Sequence, residues 1–193
     1  LRWDPIAIPA EPADFVDGVV FGPNELVLSQ ARFVDAAPYT SDYTFEKIYY
    51  RSLRERGSDF LTTRDYIWRW DTDWFWCSKN LGLQNPLLRR LMGRRRLNSV
   101  TYTNIMRWNG RHDWTGKLDR LRGLHSESVI QDICIPVRHA EEFLRFLVES
   151  IGIFPIWTCP ARHVNTTAPT PALLASLITE RILVPNTPWD AAL

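Results

Sequence analysis

Polar and apolar positions along the chain divide it into a few recognisable runs. Phe15-Val16-Asp17-Gly18-Val19-Val20-Phe21 and Leu26-Val27-Leu28-Ser29-Gln30-Ala31-Arg32-Phe33-Val34 are β-rich and flank Gly22-Pro23-Asn24-Glu25. Two such runs around a turn cluster predict a hairpin over 15–34. Tyr43, Phe45, Ile48, Tyr49 and Leu53 recur at near-helical spacing, with Glu46, Lys47, Arg51 and Arg54 between them. That predicts a helix over 43–56, ending near Gly57. Thr62 and Asp65 resemble a capping box, and Tyr66, Trp70 and Trp74 recur every four residues, yet Trp74 and Trp76 also alternate like a strand. A short helix from 63 to 70, then an extended piece through 77, accommodates both patterns. Pro86 to Met92, with Gly93 behind it, predicts a short helix. Asn98 to Trp108 is β-rich and predicts one or two strands, and Trp114 to Leu124 predicts a helix.

The clearest unit follows. Ser128 to Val137 reads as a strand; Ala140, Phe143, Leu144, Leu147 and Val148 then keep the spacing of an amphipathic helix. Ile153 to Thr158 reads as a second strand. A strand–helix–strand unit of this length is half of a ferredoxin-like sandwich. The expected fold class is therefore α+β: an antiparallel sheet with helices on one face, a partial ferredoxin-like domain preceded by the hairpin. Residues 1–14 read as an irregular lead-in. Residues 161–193 carry Pro169, Pro171, Pro185 and Pro188 and read as a divergent, irregular tail with one weak helix over 172–183.

Composition narrows the function classes. The 193 residues are 45% hydrophobic, enough for a real core, and 23 basic against 22 acidic residues give a net charge of +1. That balance gives no reason to expect nucleic acid as a partner, and no recognition motif for it is present. Residues 89–122 nevertheless hold ten basic side chains against Asp113 and Asp119. Within them, Arg89-Arg90 and Arg94-Arg95-Arg96 stand among Leu87, Leu88, Leu91 and Leu97. This run reads either as a solvated face with pairs inside the protein or as a peripheral membrane contact. No apolar run approaches the roughly 18–20 residues of a membrane span. Cys77, Cys134 and Cys159 form no C-x-x-C pair, and His112, His125, His139 and His163 are scattered. No metal site is expected, and a reducing, cytoplasmic location fits. A first residue of leucine suggests a piece of a longer protein.

The densest chemistry lies in Asp65-Tyr66-Ile67-Trp68-Arg69-Trp70-Asp71-Thr72-Asp73-Trp74-Phe75-Trp76, where four of twelve residues are tryptophan. Each indole brings large apolar area and one N–H that wants a partner when buried. Two readings stand side by side: a core that seals an interface, and a wall for something flat. Two further segments matter: the Gln131-Asp132-Ile133-Cys134-Ile135-Pro136 strand, and Pro155-Ile156-Trp157-Thr158-Cys159-Pro160. In this order the three resemble the substrate-side half of FAD-linked oxidoreductases of the vanillyl-alcohol oxidase superfamily, on the Δ24-sterol reductase (diminuto/seladin) branch. The family pattern has D-Y-x-x-R-x-D leading to F-W, then Q-D-x-x-x-P, then P-x-W-x-C-P. The resemblance covers roughly residues 13 to 160; residues 161–193 depart from it.

The resemblance implies that residues 1–36 end a flavin domain, that 37–160 form a substrate or cap domain, and that FAD is bound mainly by a missing flavin-binding half. It implies hydride transfer to or from a lipophilic, sterol- or isoprenoid-like small molecule. Tyr66, Arg69, Asp71, Phe75, Trp76, Trp157 and Cys159 would then face substrate or flavin, and Asp132 or Gln131 would serve catalysis. Each has a plainer reading: Arg69 and Asp71 in an ion-pair network, Gln131 and Asp132 on opposite faces of a strand, Trp157 and Cys159 in a core. Asp132 can donate a proton only if burial favours its neutral form. The alternative for the whole chain is a non-catalytic remnant or interaction module whose aromatic surface binds a partner or lipid.

Overall fold

The computed structural model describes residues 13–161 and 172–185. Residues 1–12 of the expected lead-in, and 162–171 and 186–193 of the tail, lie outside the described residues. The chain is α+β and divides into two units. Residues 13–40, 53–60, 130–161 and 172–178 form the first; 41–52, 61–129 and 179–185 form the second.

In the first unit the hairpin is present as β1 (Phe15–Gly22) and β2 (Glu25–Ala31), in antiparallel register from Phe15↔Ala31 to Gly22↔Glu25. The strand after it, β3 (Leu124–Pro136), leads into α6 (Ala140–Phe146), whose last turn widens over Leu147–Ile151 before β4 (Ile156–Ala161). The strand–helix–strand expectation holds. Residues 172–183 do not form a helix, and the tail is not irregular throughout, because Ala172–Pro185 is a strand, β5. Its backbone pairs antiparallel with β4 from Ile156↔Leu177 to Ala161↔Ala172, and that ladder overrides local helical preference. The sheet order is β2-β1-β4-β5-β3, so β5 lies between the two strands that α6 joins. Val20, Leu144, Leu147, Ile156 and Ala175 close an apolar core, with Phe143 and Phe154 packed on it.

The second unit departs more from expectation. Only α1 (Tyr49–Ser52) forms where a helix over 43–56 was predicted. The Phe45 carbonyl, which a continuous helix would offer to the Tyr49 N–H, accepts from the Arg89 Nε at 2.9 Å instead. Asp42 accepts the Thr44 N–H at 2.7 Å and closes a turn just before it. Helix α2 (Thr63–Trp68) starts as predicted: the Asp65 N–H reaches the Thr62 hydroxyl at 3.1 Å, and that hydroxyl donates to the Asp65 carboxylate at 2.8 Å. Helix α3 (Pro86–Met92) also matches, capped by Asn85. Residues 99–112 are a helix, α4 (Ser99–His112), and not strands. Asn98 accepts the Thr101 N–H at 3.0 Å and Asp71 accepts the Ser99 N–H at 3.1 Å, which fixes a helix start despite the β-branched residues behind it. Helix α5 (Trp114–Leu121) follows after Asp113. Tyr102, Leu83 and Leu97 form a small core with Trp74, Phe45 and Met92 against it.

Candidate functional site

The predicted extended piece through 77 is a strained turn. Trp74, Phe75 and Trp76 have φ of 47°, 50° and 60°, three consecutive L-residues in the left-handed region. Each costs about 1–3 kcal/mol and persists only where its surroundings over-determine it. The surroundings here are polar and buried. The Asp73 carboxylate accepts the Trp76 N–H at 2.9 Å, the Ser78 hydroxyl, and the Gln84 Nε2 at 3.2 Å. Gln84 also donates to the Trp76 carbonyl at 3.3 Å and accepts from the Tyr50 hydroxyl at 3.0 Å. Burial pushes the Asp73 carboxyl up to about 6, while Ser78, Arg89, Gln84 and the Trp76 N–H pull it the other way.

Arg89 lies 1% exposed beside this turn. It donates to the Phe45 carbonyl, to the Leu83 carbonyl at 2.9 Å and to the Thr72 hydroxyl at 3.3 Å. Burial works against its charge and Asp73 favours it. The Tyr102 hydroxyl donates to the Thr72 carbonyl at 2.8 Å, and burial pushes that phenol up to about 12. One knot of polar groups therefore clamps residues 72–84.

Over the knot stand the rings. Trp70 and Phe75 are stacked at 5.0 Å and 6°, and Trp76 and Tyr49 meet Trp70 edge-on at 5.8 and 5.1 Å. Trp74 stacks on Tyr102 at 5.7 Å. The Arg69 guanidinium lies 3.7 Å from the Tyr66 ring centroid, and its Nη1 donates to the Tyr66 carbonyl at 2.6 Å. The Trp70 Nε1 is buried and meets no acceptor among the described residues.

Of the sequence-predicted residues, Tyr66, Arg69, Asp71, Phe75 and Trp76 thus gather in the second unit. Tyr66 and Phe75 are half-buried and Trp76 is buried. Asp71 anchors the start of α4. Gln131, Asp132, Trp157 and Cys159 belong to the first unit. Gln131 and Asp132 are both exposed; Trp157 and Cys159 are half-buried in β4, with the Cys159 thiol 3.7 Å from the Val16 carbonyl. Thr158, on the other face, is buried. All three cysteines are free thiols. Among the described residues no cluster of histidine, cysteine and carboxylate could hold a metal ion, and no helix is long and apolar enough to cross a membrane.

Sequence reasoning placed Asp73 among the rings but missed its partnership with Ser78, Gln84 and Arg89. An aspartate three residues before a buried N–H is the signature of a side-chain-closed turn and was the available signal. Arg89 had none: on α3 it is buried while Leu87, Leu88 and Leu91 are exposed, the reverse of an amphipathic pattern. Its neighbours in the basic run pair internally, Arg90 with Glu46 and Arg94 with Asp42, each at 2.9 Å. No protein-family model, curated protein or solved structure matches the chain.

Proposed function

We propose that this chain is the substrate-side portion of an FAD-linked oxidoreductase acting by hydride transfer on a flat lipophilic molecule of sterol or isoprenoid type. The observation that carries the reading is the strained turn Trp74–Trp76, clamped from below by Asp73 so that stacked aromatic rings are held in fixed positions. Backbone strain of this kind concentrates at ligand clamps and active sites. The three motif segments in family order add to it.

The residues suit the ring end of a flavin and not its pyrophosphate. A stacked aromatic pair beside a planar guanidinium matches a flat conjugated system. The nine glycines stand without a G-x-G pair, so the phosphates fall to protein outside these residues. When bound, the flavin supplies the hydride chemistry. Tyr66 and Phe75, both half-buried, then pack against the lipophilic body and exclude water, the buried Trp76 backs Phe75 edge-on from within, and Arg69 orients a polar substituent.

Titration of the chain's tryptophan fluorescence with a side-chain-unsaturated sterol and with a polyprenol, both delivered from cyclodextrin, tests this. One class should quench saturably, and Phe75→Ala should weaken that response about tenfold. No saturable response to either class refutes the reading. Stoichiometric flavin on the chain alone would reverse the assignment of which half it is.

A further inference from the structure

Helix α5 is inside out. Its single buried side chain is Asp119, while Trp114, Leu118 and Leu121 are 57%, 45% and 86% exposed. Their i, i+4, i+7 spacing places all three on one face, the stripe that normally turns to a core. Trp108, at the end of α4 and 53% exposed, extends this stripe by stacking on Trp114 at 6.4 Å and 16°. Among the described residues of the second unit, none covers these side chains.

Charge identifies what would. At about 100° per residue, Lys117 falls on one flank of the α5 stripe and Arg122, just past its end, on the other. Lys117 leans over the Trp114 ring, its Nζ 5.5 Å from the centroid. On α4, Arg107 and Arg111 are exposed too. Among the described residues none of these four cations meets a carboxylate. The exposed Asp113, between the two helices, is paired with Arg120 at 2.6 Å. An exposed apolar stripe with tryptophan at its head and unpaired cations along both edges is the arrangement that sits at a bilayer interface. Indoles lodge at headgroup level, leucines enter the acyl boundary, and long cationic side chains reach back to phosphate.

We infer that the α4–α5 arm docks on an anionic lipid bilayer through Trp108, Trp114, Leu118 and Leu121, with Arg107, Arg111, Lys117 and Arg122 on the headgroups. The site differs from the arginine run at 89–96, in which Arg89 is buried and Arg90 and Arg94 are paired. It does not depend on the redox reading, although a bilayer is where a lipophilic substrate would be met.

Flotation of the full chain with vesicles tests it, using phosphatidylcholine alone and phosphatidylcholine with about 30 mol% phosphatidylserine. Binding should require the anionic lipid and fall with added salt. Arg111→Ser/Lys117→Ser/Arg122→Ser should weaken it about a hundredfold, at roughly fivefold per cation. Trp114→Ser/Leu121→Ser should abolish flotation while far-UV circular dichroism stays unchanged. If that variant unfolds, the charge variant, which alters only exposed side chains, decides alone. Equal binding to both vesicle types, undiminished binding by the charge variant, or no flotation at all would overturn the inference. So would concentration-dependent self-association removed by Trp114→Ser/Leu121→Ser, since it would make the face a contact between copies.

Discussion

In the first unit, Val20, Leu144, Leu147, Ile156 and Ala175 close an apolar core between sheet and helix, and among the described residues Asp17 is the one ionisable side chain buried there. The second unit buries Asp73, Arg89, Thr72 and Ser78 under its rings instead. An apolar core is non-directional, so it tolerates change in proportion to the area lost. A buried polar knot is directional: each group is satisfied by a partner in one geometry, and removal of one leaves others stranded. The second unit uses that directionality to hold three residues in backbone conformations that no apolar core would enforce.

The largest effect should come from breaking the knot at its cation. Arg89→Met keeps volume but leaves the Phe45 and Leu83 carbonyls without their donor, and Asp73 without the charge that offsets its burial. A loss of about 3–5 kcal/mol is expected, the size found when one member of a buried charge network is removed. Urea unfolding followed by tryptophan fluorescence measures it. A loss below about 1 kcal/mol would mean that the rings, and not the polar groups, hold the turn.

The knot should also make stability depend on pH in a direction opposite to the usual carboxylate. The Asp73 pKa rises from 3.8 to about 6 on folding, so in that window the folded state binds more protons than the unfolded one. Its contribution is greatest below pH 3.8 and is lost as pH rises through about 6. The whole change is on the order of 2–3 kcal/mol. Urea midpoints taken across pH 4 to 7 should fall in the native chain, and Asp73→Asn should flatten that fall. A midpoint that rises with pH by the same amount in both proteins would remove Asp73 from the account.

The contrast also explains what could be read in advance. The hairpin, α6 and its flanking strands were legible because periodicity alone specifies which face is buried. Helix α2 was legible from the capping box at Thr62 and Asp65, and α3 from Pro86 at its start and Gly93 behind it. Helix α5 was legible from the run that starts at Trp114, whereas the short α1 and the helix α4 were not, because their determinants are distant in sequence. Arg89 takes the carbonyl that would have continued the helix at 45, and Asp71 starts a helix at 99 where β-branched residues suggested strands. β5 depends on pairing with β4, and no local pattern announces it. The aromatic block stood out by its composition but not by its geometry, since three left-handed aromatic residues contradict every propensity scale.

The smallest effect sharpens the comparison from the other side, by asking whether the first unit has any directional contact of its own. Gly18 of β1 faces Thr158 of β4, and a Cβ on Gly18 would stand 2.7 Å from the Thr158 Oγ1. Gly18 is not among the residues with positive φ, so alanine there meets a lack of space and not a forbidden backbone. Gly18→Ala should cost about 1–2 kcal/mol. Thr158→Ala in the same chain removes the atom in the way, and the pair should recover about 1 kcal/mol relative to the sum of the single changes. Equilibrium unfolding of the four proteins gives the coupling directly. Additive costs would show that the strand can shift to make room, which is how a core held by area alone should respond. Coupling would show that even the apolar unit fixes one close approach between strands by the identity of two residues.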